Sequence, residues 1–450
     1  MSSVVPPVDD LWRLELAKAR QDAGPDSPGA PSTGFWPAAA IGLAGLVKTL
    51  LTPGGGALPP RAPLLAVVHR EDTNRTRHIV DLLAAEAPRT PVLLVGRPHE
   101  SLATTRALFA GRGLTEAPLV RPYDISAALA AVPAILARLR EGASAVAAAP
   151  WLPPRNRLAA IVFRVMLGEV KAAWVRARAR EGTLTARGAV LGHTGVADVH
   201  LMERALQRAG VRTLHWVHGR SEGLNLHGGS DVALFQCASD ARWHEILGGY
   251  GQVAALGATM PEHRRGGAGW VVLSNLVHPM TPAYVARGVE PEIELLTQVA
   301  LAADRAGLAR SAVVWKPHPI IDGMLSHEKP ALMARVAALG VTPWPHPRQA
   351  GLAPAGEGAM IVVTPSTTTV DVLKMGRTPV LFAPAGPEPM DLMSQFPLRA
   401  QSADDLLAAL ARIDDPALFQ QTWSRVGPGR PPVLADLVRL LGLETGGRPA

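Results

Sequence analysis

Cysteine, aromatic residues and charge are all scarce in this sequence. Cys237 is the single cysteine among 450 residues, so the chain can form neither an internal disulfide framework nor a cysteine metal site. Aromatic residues make up 4%, and no basic run is interleaved with them, so we expect no nucleic-acid partner. The first residues lack the basic-then-apolar order of a signal peptide. Together these absences predict a cytoplasmic protein.

The sequence also lacks a long uninterrupted apolar run. Its most apolar early stretch, within residues 34–56, continues for about 17 residues, whereas a membrane span needs roughly 20. Pro37, Gly42, Gly45 and Lys48 interrupt this stretch. We therefore predict a helix that packs on the protein or lies at an interface.

The remaining composition is that of a globular, basic protein. Apolar residues make up 48% and charged residues 18%, which is typical of a chain with a buried core. Lys and Arg number 45 against 38 Asp and Glu, which gives a net charge of +7. This excess favours anionic partners such as nucleotides, phospholipid head groups or acidic glycans.

Short apolar runs alternate with amphipathic segments in two successive series. PLLAVVH (63–69) and TPVLLVGRP (90–98) belong to the first series, and GWVVLSN (269–275) begins the second. Such alternation predicts an α/β fold of two doubly wound units, each a parallel sheet with helices on both faces. The predicted division is an N-terminal extension and linker (1–60), a first domain (61–260), a second domain (261–425), and a C-terminal helix and tail (426–450).

The strand predicted in SAVVWKPHP (311–319) ends in residues that suit an anion. In open parallel sheets, ligands bind at the carboxyl ends of strands, where Lys316, His318 and Pro319 stand. The lysine and the histidine can donate hydrogen bonds to phosphate oxygens, and the prolines stiffen the turn. The alternative is an ordinary surface turn, since His-Pro also occurs elsewhere in the chain.

A second strand of the same series, AMIVVTPS (359–366), ends in a run of hydroxyl side chains. Ser366, Thr367 and Thr368 stand where this strand gives way to a helix. Hydroxyls and free backbone N–H groups at a helix N-terminus form an anion site, although ordinary N-capping needs only one of them. Asp371 follows in the same helix, either to stabilise its start or to bind a ribose hydroxyl.

A histidine at a strand end of the first series is the candidate general base. The strand in VRTLHWVHG (211–219) ends at His218, and Gly219 permits a tight turn that exposes the imidazole. A histidine that faces a cleft between two domains can take a proton from an acceptor hydroxyl. Glu222 and Asp198 are its candidate helpers. The alternative is that histidines of this region cap loops.

These motifs, taken in order, resemble those of bacterial two-domain GT-B glycosyltransferases that build surface polysaccharides. Capsule synthesis, polysialyltransferase-like and Kdo-transferase-like proteins and CDP-glycerol glycerophosphotransferases are the likenesses. The family pattern is a strand ending in His-Gly, here WVHG (216–219), and then a KPHP segment, here 316–319. A Ser/Thr-rich turn follows, here 366–369, and leads into a strand that begins with Pro-Val shortly after a glycine, here GRTPV (376–380). The resemblance covers residues 186–385.

The resemblance implies two Rossmann-like domains facing a cleft, with the donor nucleotide held by the second. In such enzymes the residues that match His318, Ser366 and Thr367 hold the donor phosphate. The residue that matches His218 is regarded as catalytic in the glycerophosphotransferase branch. We expect no metal and no cofactor, because no Asp-x-Asp motif is present and the nucleotide-sugar is itself a substrate. The full donor-binding prediction adds the first strand end of the second domain and comprises Lys316, His318, Pro319, Ser366, Thr367, Thr368, Ser274, Asn275 and Asp371.

The expected activity is transfer of a sugar from a CMP-, CDP- or UDP-linked donor to a surface polysaccharide or a lipid-linked glycan. One alternative is a CDP-glycerol glycerophosphotransferase-type polymerase, against which HGRSEG (218–223) and TPSTTT (364–369) count, because that branch usually has other residues there. A non-hydrolysing 2-epimerase shares the layout, but its full set of catalytic carboxylates is not found. A third alternative is a non-catalytic nucleotide-binding scaffold of a polysaccharide assembly complex.

Residues 151–182 interleave apolar with basic side chains and are open to two interpretations. Such a helix can lie on anionic lipid at the cytoplasmic face of the inner membrane, which suits the lipid-linked acceptors common in this family. Alternatively, its apolar side packs on the sheet while its arginines are solvated.

Overall fold

Two parallel β-sheets, one after the other along the chain, organise the computed structural model. The first unit is built on a sheet within residues 64–255, and the second unit on a sheet within residues 270–400. The residues that the structure describes are 11–23, 34–52, 58, 62–69, 73–87, 89–95, 110, 118–192, 197–217, 229–247, 250–274, 276, 288–317, 321, 328–344, 359–363, 367–382, 396–426 and 430–443.

The described strands are short and rich in Val, Leu and Ala, as strands buried on both faces are. They are β1 (Leu64–His69), β2 (Val92–Val95), β3 (Leu119–Val120), β4 (Gly188–Leu191), β5 (Arg212–Trp216), β6 (Val232–Phe235), β7 (Gln252–Ala255), β8 (Trp270–Ser274), β9 (Val313–Pro317), β10 (Thr342–Pro343), β11 (Ala359–Val363), β12 (Val380–Phe382) and β13 (Arg399–Ala400).

Helices connect most of these strands. Among the described residues, none of the helices is both long enough and apolar enough to cross a bilayer. They are α1 (Leu11–Ala23), α2 (Phe35–Leu50), α3 (Thr73–Glu86), α4 (Ile125–Ala148), α5 (Arg155–Arg180), α6 (Ala197–Arg208), α7 (Ala238–Leu247), α8 (Glu290–Arg305), α9 (Glu328–Ala338), α10 (Thr367–Lys374), α11 (Ala403–Leu410), α12 (Pro416–Val426) and α13 (Leu434–Leu440).

Both sheets have the strand order of a doubly wound fold. The first runs β3-β2-β1-β4-β5-β6-β7 and the second β10-β9-β8-β11-β12-β13, with parallel pairing between neighbours. Successive side chains of β1 point to opposite faces of the sheet. Leu65 and Val67 pack with α4, α5 and α6, whereas Leu64 and Val68 pack with α3 and α13. The predicted fold class, α/β with two doubly wound units, is confirmed.

Helix α5 occupies the centre of the first core. Trp174 is 2% exposed and Lys171 1% exposed, and the helix packs between α2, α4 and α6. Lys171 forms a buried ion pair with Asp198 of α6, and Arg164 donates to Glu15 of α1 at 2.9 Å. The hypothesis that residues 151–182 form a membrane-surface helix is therefore wrong, because neighbouring helices already cover its apolar side chains.

The N-terminal helices also belong to the first core, which differs from the prediction of an extension over residues 1–60. Trp12 of α1 packs edge-on against Phe35 of α2, with ring centroids 5.6 Å apart. Its indole N–H donates to the carbonyl of Arg138 in α4 at 2.8 Å. The sequence signal was weak here because α1 and α2 also need distant partners, such as Arg138, which is 126 positions from Trp12.

The C-terminal helix α13 returns from the second unit to the first. Leu437 and Leu440 are buried with strand residues of the first sheet. The backbone N–H of Leu434 donates to the carboxylate of Glu86 at the end of α3, at 2.9 Å. The predicted C-terminal helix is present, and it packs as part of the first unit.

Helix α10 ends where the glycine of GRTPV (376–380) predicts. Gly376 has a φ of +82°, a backbone conformation that residues with a Cβ rarely adopt. A Cβ at this position would lie 2.2 Å from the carbonyl oxygen of Glu262, and the N–H of Arg264 donates to the Gly376 carbonyl at 2.8 Å. The glycine thus lets the chain between the two sheets contact the end of α10.

We predict that Gly376→Ala lowers the free energy of unfolding by clearly more than Gly210→Ala does. Gly210 has a similar φ of +79° but open space where the Cβ would lie, so its substitution carries only the conformational cost of about 1–2 kcal/mol. The additional loss at Gly376 arises from the clash with Glu262. Urea denaturation of both variants measures the difference, and equal losses would contradict the close contact.

A buried acidic cluster joins α6 to the amino ends of β5 and β6. Glu203 is fully buried and accepts a hydrogen bond from Ser230. Next to it, the carboxylate of Asp231 accepts from the Thr213 backbone N–H at 2.8 Å. Burial raises the pKa of Glu203 from its ordinary 4.5 to about 7, with the Ser230 hydrogen bond opposing the shift. The cluster thus lies at the amino ends of β5 and β6, whereas the predicted site residues follow the carboxyl ends of strands.

We predict that the Glu203→Gln variant is more stable than the wild type at pH 8. At pH 5 this difference in the free energy of unfolding should be much smaller. The folded wild type keeps a proton that the unfolded chain releases above pH 4.5, so its free energy of unfolding falls as pH rises from about 4.5 to about 7. The shift corresponds to about 3 kcal/mol. Urea midpoints at the two pH values test this, and a variant less stable than wild type at pH 8 would contradict it.

Candidate functional site

Three predicted strand ends of the second unit lie side by side. Strand β8 is flanked by β9 and β11, with Leu273 paired to Lys316 on one side and to Val362 on the other. Ser274 pairs with Pro317 in the next position. Because all three strands are parallel and in register, their carboxyl ends meet at one edge, where α10 begins. We call this the donor edge.

Lys316 is the cation of the donor edge. Its side chain is half-buried on β9, and burial lowers the pKa of its ammonium group, while the nearby Asp371 carboxylate raises it. Asp371 is exposed on α10. The structure thus brings together two residues that are 55 positions apart and that the sequence assigned to the same site. An anion bound here would also raise the pKa of Lys316.

Helix α10 starts within the predicted hydroxyl run. Thr367 is its first residue, Thr368 is half-buried, and Thr369 is fully buried. The helix therefore presents its N-terminus at the carboxyl end of β11, as the sequence predicted. Backbone N–H groups of a first helical turn have no partners within the helix and attract anions. A cationic side chain and a helix N-terminus thus share one edge of the sheet.

Ser274 lies at this edge, but its hydroxyl is engaged inside the unit. It donates to the buried carboxylate of Glu292 at 2.7 Å, and the same carboxylate accepts from the Trp315 indole at 2.8 Å. The Leu276 backbone N–H in turn donates to the Ser274 oxygen at 3.2 Å. These hydrogen bonds fix the Ser274 side chain at the end of β8. Direct contact between its hydroxyl and a donor phosphate stays a prediction.

Asp198 is likewise engaged inside the first unit. It is buried on α6 and paired with Lys171 of α5. This pairing gives Asp198 a structural partner, while its part as a helper of His218 stays a prediction. The side chain of Thr367 lies outside the part of the chain that the structure describes. Six other predicted site residues lie entirely outside it, namely His218, Glu222, Asn275, His318, Pro319 and Ser366.

A polar chain between the two units was missed by sequence reasoning. Lys374 of α10 donates to the side-chain oxygen of Gln236 at 2.9 Å, and the amide nitrogen of Gln236 lies 2.9 Å from Nε2 of His78. Because an ammonium group only donates, the amide oxygen faces Lys374, and Nε2 of His78 must accept. His78 also stacks on Trp216 at the end of β5, with ring centroids 5.8 Å apart. The only sequence signal was a glutamine directly after the buried strand VALF.

The described residues include no group of three or more His, Cys, Asp or Glu side chains that could hold a metal ion. Among the described residues, the donor edge offers an anion the ammonium group of Lys316 and the backbone N–H groups of the first turn of α10. This arrangement can bind a phosphate or diphosphate through charge and hydrogen bonds.

No protein-family profile matches this sequence, and no curated protein matches it either. Solved structures with a similar course of the chain include MurG of Acinetobacter baumannii, at 11% identity over 86% of this chain and 100% of that one, with a TM-score of 0.42. Another is S. aureus MnaA in a co-structure with UDP, at 10% identity over 82% of this chain and 92% of that one, with a TM-score of 0.42. Anabaena HepE, in complex with UDP and glucose, is similar at 10% identity over 85% and 98%, with a TM-score of 0.42. We draw no functional conclusion from likenesses of this size.

We predict that Asp371→Asn lowers the pKa of Lys316 further, because it removes the carboxylate that opposes the effect of burial. The pH dependence of reductive methylation at Lys316, followed by mass spectrometry, should therefore shift to lower pH. Asp404→Asn, which removes an exposed carboxylate paired with Arg305, is the control and should leave the profile unchanged. An unshifted profile in Asp371→Asn would contradict the proximity of the two side chains.

Proposed function

We propose that this protein is a GT-B glycosyltransferase that binds a nucleotide-activated sugar at the donor edge. The observation that carries the proposal is the meeting of Lys316, Asp371 and the N-terminus of α10 at the joined carboxyl ends of β8, β9 and β11. Ligands of open parallel sheets bind at such ends. A nucleoside diphosphate suits this edge, because its phosphates match the cation and the helix N-terminus while its ribose offers hydroxyls to a carboxylate.

The binding step follows from the charges at the edge. The Lys316 ammonium group and the first backbone N–H groups of α10 neutralise the donor phosphates, and the exposed Asp371 accepts from a ribose hydroxyl. His318, Ser366 and Thr367 are the further phosphate ligands that the sequence motif assigns. These contacts strengthen as the nucleotide leaves, because negative charge then develops on the phosphate oxygen that was bonded to the sugar.

The transfer step requires a base for the acceptor. We assign this role to His218, with Glu222 or Asp198 as its helper, because His218 follows in sequence the carboxyl end of β5 at Trp216. The acceptor hydroxyl gives its proton to the imidazole, its oxygen bonds to the sugar carbon, and the bond from that carbon to the phosphate oxygen breaks. The acceptor in this proposal is a surface polysaccharide or a lipid-linked glycan at the cytoplasmic face of the inner membrane.

We predict that one of CMP, CDP, UDP, GDP and ADP selectively raises the thermal stability of the wild type and that Lys316→Met abolishes the effect. About 100-fold excess over the dissociation constant should contribute roughly 2.7 kcal/mol of stability. Arg412→Met is the matched control, since it removes one exposed positive charge from the same unit but not from the donor edge. A shift that survives in Lys316→Met, or no shift with any nucleotide, would contradict donor binding at this edge.

A second arm of the same experiment separates a transferase from a scaffold. His218→Ala should keep the nucleotide shift and lose transfer of sugar from the selected donor, because it removes the base and leaves the donor edge intact. Undiminished turnover would exclude His218 as the base. Nucleotide binding without turnover in the wild type would favour the scaffold, and a selective response to CDP with transfer of glycerol phosphate would favour the glycerophosphotransferase.

A further inference from the structure

Most of the large apolar side chains that are exposed in the described part of the chain lie on two helices of the first unit. Trp36 is 60% exposed and Leu51, just after α2, is 72% exposed. So many exposed apolar side chains on two helices are unusual for a surface that meets only water. The two sets, which we together call the α2/α4 apolar surface, are Trp36, Ile41, Leu43, Val47 and Leu51 near α2 and Ile125, Leu129, Val132 and Leu136 on α4.

The α2 part of this surface faces outward because its other side is fixed to the protein. A Cβ added at Gly42 would lie 3.1 Å from the backbone of α5, and one at Gly45 would lie 3.3 Å from the ring of Phe163. These glycines allow α2 to approach α5 closely and leave no freedom to turn its apolar stripe inward. Phe35 packs against Gly142 and brings the start of α2 into contact with α4.

The exposed stripes of the two helices have the same spacing. On α2 the stripe continues through positions 36, 40, 43, 47 and 51, and on α4 through 125, 129, 132 and 136. Residues at intervals of three and four stand on one face of a helix. Each stripe therefore forms a continuous apolar ridge along its helix.

Two exposed cations flank these stripes. Lys48 is exposed on α2 beside its stripe, and Arg140 is exposed one turn after Leu136 on α4, while the exposed Glu141 that follows is paired with Arg138. The whole chain carries a net charge of +7. An apolar face bordered by cations, with a tryptophan at one end, matches the boundary between the head groups and acyl chains of an anionic bilayer.

The side of α2 that carries Leu43, Val47 and Leu51 is open to solvent, with Lys48 beside them. Apolar side chains next to one ammonium group suit acyl chains next to a phosphate head group.

We propose that the α2/α4 apolar surface binds the surface of an anionic lipid bilayer, with α2 lying in the plane of the interface. The membrane location belongs to the proposed function, on which this inference rests, but the surface named here is distinct from residues 151–182, most of whose large apolar side chains are covered by neighbouring helices. Neither helix crosses the bilayer. Lys316 lies in the other unit, so loss of vesicle binding and loss of nucleotide binding can be observed separately.

The test is sedimentation with vesicles of phosphatidylcholine and with vesicles of equal parts phosphatidylcholine and phosphatidylglycerol. We expect the wild type to bind the mixed vesicles, and the double variant Leu43→Gln/Val47→Gln to bind at least tenfold more weakly. Both positions are exposed, so thermal stability and the nucleotide response should not change. Lys48→Gln should weaken binding to the mixed vesicles by about fivefold, and by less to the neutral ones.

The matched control is Met260→Gln/Leu301→Gln, which replaces two exposed apolar side chains outside the first sheet and its helices. It should bind the mixed vesicles like the wild type. Equal loss in the control and the α2 variant would overturn the assignment, as would a wild type that does not sediment with either vesicle. A concentration-dependent dimer that only the α2 variant disrupts, without vesicle binding, would show instead that a second copy covers this surface.

Discussion

The common register of β8, β9 and β11 is the constraint on which the candidate site depends. Parallel pairing fixes each strand relative to its neighbours to within one residue, and a slip of one position would turn every side chain to the other face. With Leu273 held between Lys316 and Val362, the chain must leave all three strands at the same height. The strand register alone therefore brings together a cation and a helix N-terminus that are about 50 residues apart in sequence.

The same packing ties the donor edge to the first unit. Gln236 follows β6 and binds Lys374, which lies at the other end of α10 from the proposed phosphate contacts. Cys237, the next residue, is buried among side chains of α10 and α12. Helix α13 then returns to the first sheet. A helix held at one end by the first unit has a fixed direction, and its N-terminus is therefore held beside β11.

Local patterns in the sequence predicted the elements well and their distant partners poorly. The strands around Lys316 and the helix from Thr367 follow from apolar runs that end at proline, hydroxyl or glycine residues, and those signals are local. The engagement of Ser274 by Glu292, and of Asp198 by Lys171, joins residues 18 and 27 positions apart on different elements. No periodicity announces such pairs, because a buried polar side chain looks like a catalytic one until its partner is known.

Helices α2 and α5 show that the charge composition of a helix does not predict whether its apolar face is exposed. Helix α5 carries seven basic residues, yet most of its large apolar side chains are buried. Its Arg164 and Lys171 pair with Glu15 of α1 and Asp198 of α6, and its own Glu169 pairs with Arg138 of α4. Helix α2 carries Lys48 alone, yet one of its faces is exposed. Charge in a helix is thus compatible with burial wherever partners are supplied. An apolar helix face that is exposed to water has no such partner. Contact with an apolar surface outside the chain would remove this face from water and so be favourable.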